Sequence, residues 1–108
     1  MKQLIKTFDQ LNEENKTLLL VLLANTVIEK LSKSDGYEIT KKSLEKCLGW
    51  LVDKNITAYN LYLYLENMDY NSVLHYMSKE KDCEKLIYWN CVSNALAYTI
   101  KKAYEFEK

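Results

Sequence analysis

The sequence contains no arginine and no proline, only two glycines and a single histidine. All 15 basic residues are lysines. Arginine supplies the planar fork that binds phosphate and carboxylate groups through paired hydrogen bonds, so its absence argues against base recognition and phosphate clamps. Gly36 and Gly49 are too few for a glycine-rich phosphate-binding loop, which excludes the nucleotide-binding folds that need one. The single His75 excludes metal sites built on a pair of histidines.

The charged residues and the cysteines indicate which partners and which compartment to expect. The 15 lysines are balanced by 15 acidic residues, whereas proteins that bind nucleic acid usually carry a clear positive excess. Nucleic acid is therefore not an expected partner. Cys47, Cys83 and Cys91 are odd in number and show no C-x-x-C spacing. We expect free thiols in a reducing compartment, packed as small core residues.

The sequence also lacks segments that direct a protein to or through a membrane. Its first ten residues contain no long apolar stretch of the kind that a signal peptide needs. The longest strictly apolar run, residues 18–24, is seven residues long, far below the roughly 20 that span a bilayer. We expect a cytoplasmic protein with no membrane partner.

Strong helix formers dominate the whole chain, which has little to interrupt them. We predict an all-α fold, a single compact bundle of five or six helices, in which residues 1–108 form one domain. The predicted helices are residues 3–10, 13–32, 41–54, 58–68, a short segment beginning at Asp69 or Asn71, and 83–106. Whether the first two are continuous stays open.

Side chains that accept hydrogen bonds from free helical N–H groups mark the predicted helix starts. We assign these N-caps to Asn12, Thr40, Thr57 and Asp82. Gly36 is expected to take a positive φ in the turn before the third helix. The second predicted helix is apolar on most sides, which predicts a central position in the bundle.

Several residues within the predicted helices have expected structural roles. Trp50 and Trp89 lie at apolar positions of their helices and are predicted to be core residues. Gly49, beside Trp50, is expected to allow the close approach of another helix. Asn55 is a predicted left-handed end of the third helix.

Three combinations of residues have the residue types found in catalytic or metal sites. His75 and Cys83 are the residue types of a Cys–His pair, but no third residue that would orient them is indicated. Adding Cys47 and Cys91 gives the ligand types of a zinc site, although the spacings match no zinc-binding pattern. Glu66 and Asp69 are three residues apart and would share a helix face, but paired carboxylates of this kind more often lie in solvent than act on a substrate. We therefore expect no catalytic residue, no metal and no cofactor, and not an enzyme.

The most informative segment is the stretch between Lys54 and Lys79. Its 24 residues contain no lysine, two charged side chains and five of the nine tyrosines. Depletion of lysine and enrichment of tyrosine are typical of protein interfaces. The alternative is that these tyrosines pack half-buried with their hydroxyls in water. The residues predicted to bind a partner, here called the tyrosine surface, are Tyr59, Tyr62, Glu66, Asp69 and Tyr70.

Three stretches of the chain carry a family resemblance. They are residues 48–51 (LGWL), residues 61–67 (LYLYLEN), and the aromatic stretch from Trp89 through Tyr98 to Ala103-Tyr104-Glu105. On these residues the chain resembles the sixth numbered family of immunity proteins of bacterial polymorphic-toxin systems. The resemblance spans about the C-terminal two thirds of the chain.

The resemblance implies a small all-α protein that binds and neutralises a cognate toxin, often encoded beside it. It implies no catalytic residue and no cofactor, and it names no toxin-contacting residue, so the tyrosine surface comes from composition alone. The zero net charge departs from a strongly acidic antidote to a basic nuclease, so that either a local patch steers the partner or the toxin is not a nuclease. The alternatives are a self-associating helical subunit, such as a homodimer, and a thiol-dependent enzyme.

Overall fold

A computed structural model describes residues 12–108 of the chain. This part contains five α-helices and no strand. The helices are α1 (Glu13–Val27), α2 (Tyr37–Asp53), α3 (Ala58–Leu65), α4 (Val73–Lys79) and α5 (Cys83–Phe106), and a 3-10 turn (Ile28–Leu31) continues α1. The prediction of an all-α bundle is confirmed. The predicted helix over residues 3–10 lies outside the described residues.

The central element is α5, which packs against each of the other four helices. Its N-cap Asp82 accepts hydrogen bonds from the backbone N–H groups of Glu84 and Lys85, at 2.8 and 3.2 Å. One side of α5 is buried almost along its whole length. Both the predicted cap and the predicted range of this helix are confirmed.

The first described helix packs against α5 and α2, but it is not buried on all sides. Asn12 caps α1 by accepting from the backbone N–H of Asn15, as predicted. Val21 and Ala24 are fully buried, whereas Leu18, Leu22 and Leu23 are 39%, 47% and 48% exposed. The helix α1 has apolar residues around most of its circumference, but only one of its faces is fully buried.

The second helix begins four residues before the predicted start. Gly36, at φ 87°, precedes α2 and accepts a hydrogen bond from the backbone N–H of Thr40. Thr40 is therefore buried inside the helix and is not its cap. The positive φ predicted for Gly36 is confirmed. At the other end the left-handed residue is Lys54, at φ 53°, and not Asn55.

The helix α3 ends at Leu65, about three residues earlier than predicted. Glu66 already has an extended backbone, at φ −148° and ψ 129°. The side chain of Asn67 then binds the carbonyl of Leu63, which ends the run of helical hydrogen bonds. Met68 is spaced from Leu61 and Leu65 as residues on one helix face are, yet it is 93% exposed. The helix α4 begins after Ser72 and not after Asp69 or Asn71.

Both tryptophans are core residues, as predicted. Trp50 is 3% exposed and Trp89 is 1% exposed. The indole N–H of Trp89 donates to the carboxylate of Glu80 at 3.0 Å. Phe106 meets the Trp50 ring edge-on, and the Lys54 ammonium lies 4.3 Å from the centre of that ring. The ends of α2 and α5 are joined through these groups.

The buried residues of all five helices form one cluster. Its members are Val21, Ala24, Ile28, Leu31, Leu44, Cys47, Trp50, Ala58, Leu61, Val73, Trp89, Val92, Ala95, Leu96, Ile100 and Ala103. A shared core of this kind holds the short α3 and α4 against α5. That residues 1–108 form a single domain stays a prediction.

Candidate protein-binding surface

The short helix α3 is fixed at its start by a hydroxyl and a carboxylate, which accept hydrogen bonds from its first backbone N–H groups and come from different parts of the chain. The Thr57 hydroxyl accepts from the backbone N–H of Asn60, so the predicted cap is confirmed. The carboxylate of Glu107, beyond the end of α5, accepts from the backbone N–H of Ala58 at 2.6 Å. With Ala58 and Leu61 fully buried, the opposite side of α3 points to solvent. Tyr59 lies there and is 59% exposed.

Tyr62 and Glu66 form a hydrogen-bonded pair one turn apart. The phenol donates to the Glu66 carboxylate at 2.9 Å. This hydrogen bond, and then the Glu66 charge, raise the pKa of Tyr62, because removing the phenol proton would place two negative charges side by side. Tyr62 is half-buried against the core and Glu66 is exposed. The phenol therefore stays a neutral donor that orients the carboxylate.

The structure adds Tyr104 to this surface. Smaller contributions to the raised pKa of Tyr62 come from Tyr104 on α5 and from Tyr59, so the three phenols are close enough to interact. Tyr104 is 43% exposed. Sequence reasoning missed it because nothing in the chain indicates that the end of α5 packs beside α3. Its only signal was its place in the aromatic stretch that carries the family resemblance.

The last two predicted residues lie on the loop of residues 66–72, which joins α3 to α4. Asp69 is exposed and Tyr70 is 69% exposed. The Tyr70 ring packs beside His75, with ring centres 5.4 Å apart. In the part of the chain that the structure describes, no hydrogen bond or ring contact joins Asp69 or Tyr70 to Tyr59, Tyr62 or Glu66. The predicted residues thus form two adjoining groups, one on α3 and one on the loop.

The cysteines are arranged differently from one another. Cys47 is fully buried, and burial raises the pKa of its thiol to about 12 despite a hydrogen bond with Thr99. Burial also raises the pKa of the half-buried Cys91. Cys83 is exposed, so its prediction as a core residue is wrong. A thiol that stays protonated at neutral pH is a poor nucleophile, which makes Cys47 inert.

The ring contacts of His75 are with two tyrosines. The His75 ring packs between Tyr70 and Tyr76. Among residues 12–108, no three His, Cys, Asp or Glu side chains lie close enough to hold a metal ion. None of the helices in this same range is both long enough and apolar enough to cross a membrane.

The described fold is a small helical bundle with exposed tyrosines and carboxylates on α3 and the 66–72 loop. A family model described as immunity protein Imm6 matches residues 15–108. The chain therefore belongs to this immunity-protein family, and the family resemblance is confirmed over a longer range than its three stretches covered. No significant match was found among curated proteins or among solved structures.

Membership of this family indicates a general role in toxin immunity, with a cognate toxin as the partner. Immunity proteins of this kind are generally not enzymes. The prediction of the class of protein is thus confirmed from the matched residues.

Proposed function

We propose that this protein binds its cognate toxin in a stoichiometric complex in the cytoplasm and neutralises it by covering its active site or binding surface. The exposed tyrosines of α3 and the adjoining loop support this proposal most directly. Tyrosine gives a large contact area at a low cost in conformational entropy, and interfaces are enriched in it. The free cysteines fit a reducing compartment.

Two exposed carboxylates give the proposed surface its charge. Glu66 and Asp69 are the only charged side chains between residues 55 and 78. Within the described residues, neither takes part in an ion pair. A local negative patch on a chain of zero net charge steers a partner that carries positive groups around its binding site. The proposed toxin surface is therefore basic where it meets α3.

The first experiment is co-purification. The tagged protein is expressed together with the product of the adjacent gene, and light scattering measures the molar mass of the eluted material. We expect a 1:1 complex and restored growth of cells that make the toxin. Absence of both a complex and growth rescue would contradict the proposed function.

A matched pair of double variants tests the surface. We expect Tyr62→Phe with Glu66→Gln to weaken toxin binding by about tenfold, because it removes a charge and its orienting phenol from the interface. Tyr88→Phe with Glu84→Gln is the control, since Tyr88 donates to Glu84 in the same way on α5, at 3.1 Å. Calorimetric titration measures both affinities. Equal losses in the two variants would remove α3 from the interface.

Self-association remains the second candidate function, and the leucines of α1 favour it. Leu18, Leu22 and Leu23 expose apolar area on one helix, and contiguous exposed apolar area often marks an interface. Light scattering on the isolated protein distinguishes the two functions. A stable dimer without the toxin would support a self-associating subunit, whereas a monomer would support the immunity complex.

A further inference from the structure

The 66–72 loop is closed around one side chain. The Asn67 amide nitrogen donates to the carbonyls of Leu63 and Asn71, at 3.0 and 2.9 Å. Its amide oxygen accepts from the backbone N–H groups of Asp69 and Asn71, at 2.9 and 3.3 Å. A primary amide offers two donors and two acceptor lone pairs, so Asn67 uses its full capacity. We call this set of four hydrogen bonds the Asn67 clamp.

The far end of the loop is held as well. The Tyr76 hydroxyl on α4 donates to the Asn71 side-chain oxygen at 3.0 Å. Tyr70 has a left-handed backbone, at φ 58°, a strained conformation for a non-glycine residue that persists only where the surrounding structure holds it. The loop is therefore ordered by its own hydrogen bonds and does not depend on a partner for its shape.

An ordered loop of this kind presents side chains that the fold itself does not use. Met68 is 93% exposed and Tyr70 is 69% exposed, and both lie between hydrogen bonds of the clamp. Met68 is the most exposed of the large apolar residues in the described chain. Its unbranched thioether adapts to irregular apolar pockets, and methionine is enriched at interfaces.

We propose that the Asn67 clamp holds Met68 outward as an apolar anchor that inserts into an apolar pocket of the toxin bordered by lysine or arginine. This inference rests on the proposed function. The basic border follows from the positions of Glu66 and Asp69, which flank Met68 in the sequence and are exposed. A preformed anchor loses little conformational freedom on binding, which increases the affinity that its contacts provide.

The anchor is tested by Met68→Ala, measured against the co-purified product of the adjacent gene. We expect the dissociation constant to rise at least about tenfold, as for other central anchors of interfaces. Ile87→Ala is the matched control, because Ile87 is a 66% exposed apolar residue on α5. Its affinity should stay within about twofold of wild type. Thermal melting of both variants verifies that the fold is intact.

The clamp is tested by Asn67→Ala, with Asn94→Ala on the exposed side of α5 as the control. Amide hydrogen exchange at Asp69 and Asn71 in the free protein should speed up in the first variant only, because their acceptor is lost. The toxin affinity of Asn67→Ala should fall although Met68 is still present. Asn67→Asp keeps the acceptor oxygen and should restore part of the protection at these two amides.

The outcomes separate the inference from the proposed function. If wild type forms no complex, both are overturned. If wild type binds and Met68→Ala binds equally well, the anchor is overturned and the immunity function stands. If Met68→Ala weakens binding while Asn67→Ala leaves both amide exchange and affinity unchanged, the role of the clamp is overturned.

Discussion

The two glycines have opposite roles at the residue scale. Gly36 takes a positive φ before α2, and a Cβ built there would lie 2.2 Å from the Tyr76 ring. Gly49 lies within α2, and a Cβ built there would meet only the side-chain amide of Asn55, at 3.0 Å. The nearest neighbour of Gly49 is thus a loop residue, whereas the sequence analysis predicted that another helix would approach α2 here.

These environments predict different outcomes for the same substitution. Gly36→Ala should lower the free energy of unfolding by about 2–4 kcal/mol, the sum of the left-handed backbone and the displaced Tyr76 ring. Gly49→Ala should stay within about 1 kcal/mol of wild type, because helix propensity offsets the tight contact with Asn55. Urea denaturation of both variants measures the difference. Equal effects would contradict this account of Gly36.

Single residues also explain which features of the candidate site could be predicted from the sequence and which could not. The exposure of Tyr59 and Tyr70 was predicted from composition, since tyrosine without nearby lysine is typical of a surface that binds protein. The exposure of Met68 was not, because its spacing from Leu61 and Leu65 matches an apolar helix face. The deciding feature is the Asn67 side chain, which binds a helical carbonyl and ends α3 first.

At the scale of elements, prediction succeeded where a polar cap and an apolar period agree. The starts of α5 and α1 follow from Asp82 and Asn12, whose side chains bind the first free N–H groups. The start of α2 was misplaced because Thr40 has the residue type of a cap, whereas Gly36 ends the preceding turn through its backbone alone. Residue type predicts the positive φ of Gly36, but it does not show that the helix begins directly after this residue.

The contact between the end of α4 and α5 predicts a dependence on pH. The hydrogen bond from Trp89 lowers the pKa of Glu80 from its ordinary value of 4.5, helped by the backbone N–H of Asp82 and the charge of Lys85 and opposed by partial burial. A carboxylate with a lowered pKa in the folded state stabilises the fold fully above its unfolded pKa. This stabilisation is lost as the pH falls from 4.5 through the folded pKa.

We therefore expect Glu80→Gln to lose less stability than wild type between neutral pH and about pH 3. The glutamine oxygen still accepts from Trp89 but does not titrate. Urea denaturation across this pH range measures the slope, with Glu45→Gln on the exposed side of α2 as the control. A Glu80→Gln profile that runs parallel to that of wild type would rule out this carboxylate as a source of acid sensitivity.

At the scale of the whole molecule, α5 joins the separate parts of the fold. Trp89 near its start contacts the segment after α4, and Phe106 at its end contacts Trp50 of α2. These positions are 17 residues apart on the helix, or about 25 Å. Glu107 beyond its end binds the start of α3. Loss of packing on α5 therefore destabilises every other helix of the described bundle.

This arrangement predicts that the bundle unfolds in one step. Leu96, fully buried on α5, should cost about 2–5 kcal/mol when replaced by alanine. The loss should appear equally in helical circular dichroism and in fluorescence, since Trp50 and Trp89 report from different regions. Separate transitions for the two signals would show that the ends of α5 unfold independently.

The Asn67 clamp has a further consequence for how such a protein changes over generations. Because the loop takes its shape from the side chains of Asn67, Asn71 and Tyr76 and from backbone groups, residues 68 and 69 contribute little to folding and are open to mutation. When mutations change the surface of the toxin, substitutions at these two positions can restore binding while the fold of the immunity protein stays the same. Variation at positions 68 and 69 beside a constant Asn67 is the pattern that this mode of adaptation would leave among related sequences.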